Sequence, residues 1–202
     1  MRIGIRAGLV LAACGLAACS EDSGGGSGNG GANLPAEFQD GLTDYLLTEA
    51  AIDRRFDTRE DNMPTSGSAS FDGLARIGLG ATPEAYRTDL VGDVGLVADF
   101  GRGTISGEAR DFVGRVDRGP AEDFDGSLRI AGADIIGNEA FGNMRGSLAS
   151  DDHRVTIDAN MDGRFVGNPE PVGIEFESVD GNTDTLDGER VPSVVTVVAE
   201  RD

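Results

Sequence analysis

The sequence contains no tryptophan and no lysine, a single histidine, and two cysteines that both fall within its first twenty residues. These shortages exclude whole classes of chemistry. Nucleophilic catalysis needs a base held beside a Ser or Cys, and His153 has no evident partner of that kind. A structural zinc site needs a set of Cys and His ligands that the chain does not possess. Basic residues number 17, all of them Arg, against 36 acids, for a net charge of −19. A surface of that sign repels phosphate backbones and anionic headgroups, which argues against nucleic-acid binding. Aromatics are scarce at 5%, yet 39% of the residues are hydrophobic and they are spaced along the chain, so it is long and apolar enough for one folded core despite its 31 glycines.

Residues 1–18 read as an export signal. Arg2 and Arg6 open it, and Ala7–Ala18 is a short apolar and small-residue stretch, too brief to span a bilayer as a helix. Two Leu-Ala-Ala-Cys runs resemble the bacterial lipobox, ending at Cys14 and Cys19. The first would leave an apolar core of only Ala7–Val10, so Cys19 is the expected acylated residue. Cleavage before it removes Arg2 and Arg6 and no acid, which takes the net charge from −19 to −21. The one cysteine then left carries lipid, so no disulfide is expected. Ser20 rather than Asp follows the cysteine, and by resemblance to bacterial sorting this implies the outer membrane. Residues 19–33 hold the acylated Cys and a Gly/Ser-rich tether, with a typical reach of roughly 20 Å.

Residues 34–61 predict one amphipathic helix. Pro35 suits a first helical position, and Phe38, Leu42, Tyr45 and Leu46 recur at helical spacing, with Ile52 and Phe56 extending the stripe. The stripe is expected to pack on the domain that follows. From Met63 the period changes from helical to alternating, broken by Gly, Asp-Gly and Gly-Asn turns. Strands are expected near Gly67–Leu79, Thr88–Phe100, Gly103–Phe112, Phe124–Ala133, Ala140–Ala149, Arg154–Phe165, Val172–Val179 and Ser193–Ala199. Consecutive strands with no intervening helix predict a mainly β fold over residues 62–202: an eight-stranded antiparallel up-and-down soluble β-barrel, closed so that no long Gly-rich edge is exposed. Acids such as Asp89, Asp93 and Asp99 on the strand faces, and the missing aromatic girdles, speak against a membrane-spanning barrel.

Three segments, Asp99-Phe-Gly-Arg-Gly-Thr-Ile-Ser-Gly-Glu-Ala-Arg-Asp-Phe112, Leu128-Arg-Ile-Ala-Gly-Ala-Asp-Ile-Ile-Gly-Asn-Glu-Ala-Phe141 and Gly163-Arg-Phe-Val-Gly-Asn-Pro-Glu-Pro-Val-Gly-Ile-Glu-Phe176, occur in that order. The succession resembles the β-barrel domain of transferrin-binding protein B-type surface lipoproteins. The resemblance covers roughly residues 63–202 and implies the fold and an envelope address. It departs from the family after the late hairpin, where Ile174 replaces a second Gly, and the handle domain of the two-lobed receptors is absent. Transferrin binding is therefore not implied.

The sequence predicts no enzyme and no cofactor. It reads as a lipid-anchored binding module for a protein or small solute, with a structural envelope lipoprotein as the alternative and a haem or metal binder, through His153, as a third reading. Loops on rigid scaffolds commonly carry recognition, and the longer connections 80–87, 114–123 and 180–192 place Tyr86, Arg87, Arg115, Arg118 and Arg190 as candidate binding residues. The surrounding acids would steer a cationic partner. In the last loop Asp180, Asn182 and Asp184 alternate as calcium donors do. Thr185 and Val191, however, stand where an EF-hand needs Gly and Glu, so an ordinary acidic turn is the expected reading.

Overall fold

The computed structural model describes residues 34–80, 86–179 and 184–202. The export signal, Cys19, the tether, Asp180 and Asn182 lie outside the described residues. Helix α1 spans Leu34–Asp53, and a short 3-10 turn spans Glu60–Asn62. The strands are β1 Ser68–Leu79, β2 Thr88–Asp99, β3 Thr104–Arg115, β4 Ala121–Ile136, β5 Glu139–Ala149, β6 Arg154–Val166, β7 Gly173–Ser178, β8 Thr185–Leu186, β9 Glu189–Arg190 and β10 Ser193–Arg201. β1 to β7 pair in succession and antiparallel, and β10 closes the ring by pairing with both β7 and β1. The result is the expected eight-stranded barrel, with β8 and β9 as a small hairpin that extends the wall beside β6.

Alternation builds the core. Val155, Ile157, Ala159, Met161 and Phe165 of β6 all point inward and are buried, while Arg154, Thr156, Asp158 and Asn160 point out. The interior is filled by large side chains set over glycines of neighbouring strands. Phe112 lies over Gly92, where an added Cβ would meet its ring at 2.7 Å, and Phe176 lies over Gly163 at 2.5 Å. Phe71, Phe100 and Phe165 meet at ring-centroid distances of 6.0 and 5.9 Å. This pairing of a ring with a glycine explains how a chain so rich in glycine and poor in aromatics packs a barrel. Met63, from the segment after α1, packs against the interior cluster at one end, and Leu186 and Val191 do so at the other. The outer wall carries ion pairs at mid-height, Glu108 with Arg129 at 3.3 Å and Arg145 with Asp158 at 2.8 Å. A lipid-facing barrel is apolar there.

α1 lies along the outside of the barrel. Phe38, Tyr45 and Ile52, seven residues apart, are buried against Val91, Ala121, Val166 and Val198, with Leu34 and Leu42 at the margin. Each such burial is worth roughly 1.5–3 kcal/mol. Gly41 allows the close approach, since its missing Cβ would stand 3.0 Å from Val91. Two residues of the expected stripe fall elsewhere. Leu46 is one residue past the seam centred on Tyr45 and is 46% exposed. The helix ends at Asp53 because the chain turns there to an extended bridge between Asp57 and Val166, which leaves Phe56 beyond it and 85% exposed.

Candidate functional site

The described parts of the connections between β1 and β2, β3 and β4, β5 and β6, and β7 and β10, namely Gly80 and 86–87, 116–120, 150–153, and Val179 with 184–192, lie at one end of the barrel, the loop end. The short turns 100–103 and 137–138 and the segment 167–172 occupy the opposite, turn end. The loops are tied to one another. Arg87 pairs with Asp117 at 2.5 Å, the Arg118 amide donates to the Arg87 carbonyl at 3.3 Å, and the Gly80 amide donates to the Pro192 carbonyl at 2.9 Å. Arg118 and Arg190 are exposed here. Arg87 is exposed as well, whereas Tyr86 and Arg115 are built into the wall. Tyr86 lies flat over Gly78, with the Arg76 guanidinium 5.5 Å from its ring centroid. The same guanidinium stands 5.7 Å from the Tyr45 ring and holds Asp89 by two bonds of 2.9 and 2.8 Å. Tyr45 in turn donates to Glu49 and shares a bond with Thr196, both at 2.7 Å, and burial pushes its phenol well above the usual range. Arg115 lies 5.3 Å from the Phe38 ring centroid, its Nε buried without a hydrogen-bond partner. Sequence reasoning separates these residues into a loop set and a helix set, and the structure joins them as the clasp that holds α1 to the barrel.

Asp184 is fully buried. Its carboxylate accepts from the Asp158 amide at 2.7 Å and from the Ser193 hydroxyl. It closes the wall where short β7 leaves β6 and β10 without a full partner, a task that occupies both oxygens. Among the described residues no group of three or more Asp, Glu, His or Cys could hold a metal ion.

His153 is committed to the β8–β9 hairpin. Its Nδ1 lies 2.9 Å from Asp187 Oδ2, and Asp187 Oδ1 also accepts from the Arg154 amide at 2.8 Å. The bond to Asp187 raises the His153 pKa, and the bond to His153 lowers that of Asp187. A raised histidine stabilises the fold fully below its unfolded pKa of ~6.5 and loses that contribution as pH climbs through the folded value; a lowered Asp contributes above ~3.9 and loses it on acidification. The His153→Asn variant should therefore melt below the parent between about pH 4 and 6.5, with the gap closing at higher pH. Thermal melts across that range check it, and a gap that widens above pH 8 would contradict the assignment.

The sequence pattern misses a groove. On the outer wall beside α1 a recess of about 410 Å³ has Leu74, Val91, Val113 and Gly92 in its floor and Glu37, Asp93, Asp111, Asp123 and Asp125 around it. Bulges in β3, where Asp111 and Phe112 face Gly92 of β2, and in β4, where Asp125 and Gly126 face Asp111, re-aim these side chains, and Asp111 takes a left-handed φ of 55°. Two neighbouring recesses share its carboxylates. One, through Asp93, adds Asp72, Glu108 and Arg110; the other, through Asp123 and Asp125, adds Glu122, Asp151 and Asp152. Arg110 supplies positive charge here and is paired with Asp111 at 3.4 Å. Crowding shows at the margin, where the Asp72 carboxylate beside Asp202 raises the Asp202 pKa.

No protein-family model matches the chain, and no curated protein sequence does. Solved structures do. One is a double mutant of transferrin binding protein B from Haemophilus parasuis Hp5, 18% identical, covering 72% of this chain and 27% of that one, with a TM-score of 0.46. Another is a single mutant of the same protein, 17% identical, covering 72% and 28%, with a TM-score of 0.45. A third is intact Ap-TbpB with its N and C lobes, 16% identical, covering 72% and 28%, also at 0.45. The likeness is confined to fold. This chain spans about a quarter of the length of each.

Proposed function

We propose that the protein is an outer-membrane lipoprotein, anchored through Cys19, whose barrel is an interaction module for a cationic segment of another protein. The observation that carries this reading is the groove beside α1, an apolar floor ringed by five carboxylates from the helix and three strands. Alternating basic and apolar side chains on an extended segment would fill it, the apolar ones on the partly exposed Leu74 and Val113 and the basic ones on the acids. A barrel packed with side chains leaves a solute no room inside, which moves recognition to the outer wall. The same packing suits a purely structural envelope lipoprotein, and the groove is what favours a binding role over it. The leader and Leu16-Ala17-Ala18-Cys19 support the anchor.

A synthetic peptide alternating Arg with Val should bind the Leu34–Asp202 domain, and one alternating Glu with Val should not. Affinity should fall steeply as ionic strength rises from ~0.05 to ~0.5 M, because the Debye length shrinks over that range. Joint Asp93→Asn, Asp123→Asn and Asp125→Asn exchange should weaken binding by about tenfold or more, whereas Arg118→Ala and Arg190→Ala should leave it unchanged. Binding indifferent to salt and to the three carboxylates would refute the reading.

A further inference from the structure

α1 has a direction relative to the barrel. Leu34 sits in the recess formed by Pro120, Ala121 and Ala149–Asp152 at the loop end, and Phe38 meets Arg115 at the last residue of β3. Ile52 reaches Gly173, where β7 begins at the turn end. The chain preceding Leu34 therefore joins the barrel at the loop end. From this polarity we infer that the loop end is the membrane-facing end of the anchored protein, and that the turn end and the flank of the wall are what it offers to a large partner. The inference rests on the Cys19 anchor proposed above.

Magnitudes favour a persistent orientation. A twelve-residue strand at about 3.3 Å per residue, tilted as barrel strands are, gives a height of about 30 Å. A Gly/Ser-rich coil of fourteen residues, the number from Ser20 to Asn33, has a typical reach of roughly 20 Å, shorter than that height. Turning the barrel over would require the tether to run the length of the wall before meeting the membrane. Arg118 and Arg190, exposed though they are, would then sit beneath the barrel, out of reach of a large partner.

The test uses the full chain, exported and acylated in bacteria, with one added cysteine at a time. Asp151→Cys marks the loop end and Glu139→Cys the turn end; both positions are exposed. Acylated Cys19 does not react with a maleimide dye, so each variant takes one label. Energy transfer to an acceptor lipid in the isolated membranes should be about twofold or more stronger from residue 151 than from residue 139, given a height difference of about 30 Å. Equal transfer, or stronger transfer from residue 139, overturns the orientation while the anchor stands. The control is membrane flotation of the parent and of Cys19→Ser. If the parent does not float, or Cys19→Ser floats as well as the parent, the anchor fails and the orientation falls with it.

Discussion

Gly73→Ala should destabilise the barrel by about 3 kcal/mol or more, an effect large enough to leave much of the chain unfolded. Gly73 lies in β1 at the seam where the barrel closes, paired with Ala199 of β10 and Val94 of β2. A Cβ there would overlap the Val198 carbonyl oxygen and come within 2.6 Å of the Ala199 Cα. Both obstacles are backbone, so relief requires the β1–β10 pairing itself to part. The matched control is Gly95→Ala, on the exterior of β2, whose Cβ would meet the Asp72 carboxylate at 3.5 Å, an ordinary contact. That change should stay within about 0.5 kcal/mol of the parent. Urea unfolding of the two variants side by side measures the difference, and equal midpoints would mean that the seam is not closed as described.

Tyr45→Ala should cost about 3–5 kcal/mol and release α1 from the wall. The side chain is 1% exposed, its ring stands beside the Arg76 guanidinium, and its hydroxyl joins Glu49 on the helix to Thr196 on β10. Truncation leaves a cavity under the helix and also leaves Thr196 without this partner. Tyr45→Phe keeps the ring and loses only the hydroxyl bonds, which should cost about 1 kcal/mol. Arg76→Ala should behave like the larger deletion, since it removes the group that Tyr45, Tyr86 and Asp89 share. If Tyr45→Ala unfolds at the parent's midpoint, α1 is not part of the cooperative unit, and its apolar face would be open to a partner.

The barrel was legible because its strands alternate. β6, whose pattern is cleanest, differs from the expected segment by the single residue Val166, and each of its expected inward side chains is buried. Where alternation fails, so does the reading. β4 runs from Ala121 to Ile136 rather than from Phe124 to Ala133, because a register shift between Ile130 and Asp134 breaks the period around Gly132. The β8–β9 hairpin has a local signal that the acidic spacing overshadowed: Asp187-Gly188, with φ of 53° and 83°, is the two-residue turn that joins tightly twisted strands. Tyr86 and Arg115 read as loop anchors because nothing local reveals that Gly78 and Phe38 lie beside them. The groove was invisible for the same reason. Its acids come from residues 37, 93, 111, 123 and 125, and only the β2–β3–β4 pairing, two bulges and the docking of α1 bring them together.

The central claim, that recognition belongs to the outer wall beside α1 and not to the barrel interior or the loops, is tested most directly by mapping amide chemical shifts. The isotope-labelled Leu34–Asp202 domain would be titrated with the alternating Arg-Val peptide at low ionic strength. Shifts should be concentrated at Glu37, Gly41, Val91–Asp93, Asp111–Val113 and Asp123–Gly126, with interior residues such as Met161 and Phe165 unmoved. Shifts centred instead on Arg87, Asp117, Arg118 and Glu189–Arg190, or spread through the interior, would contradict the claim.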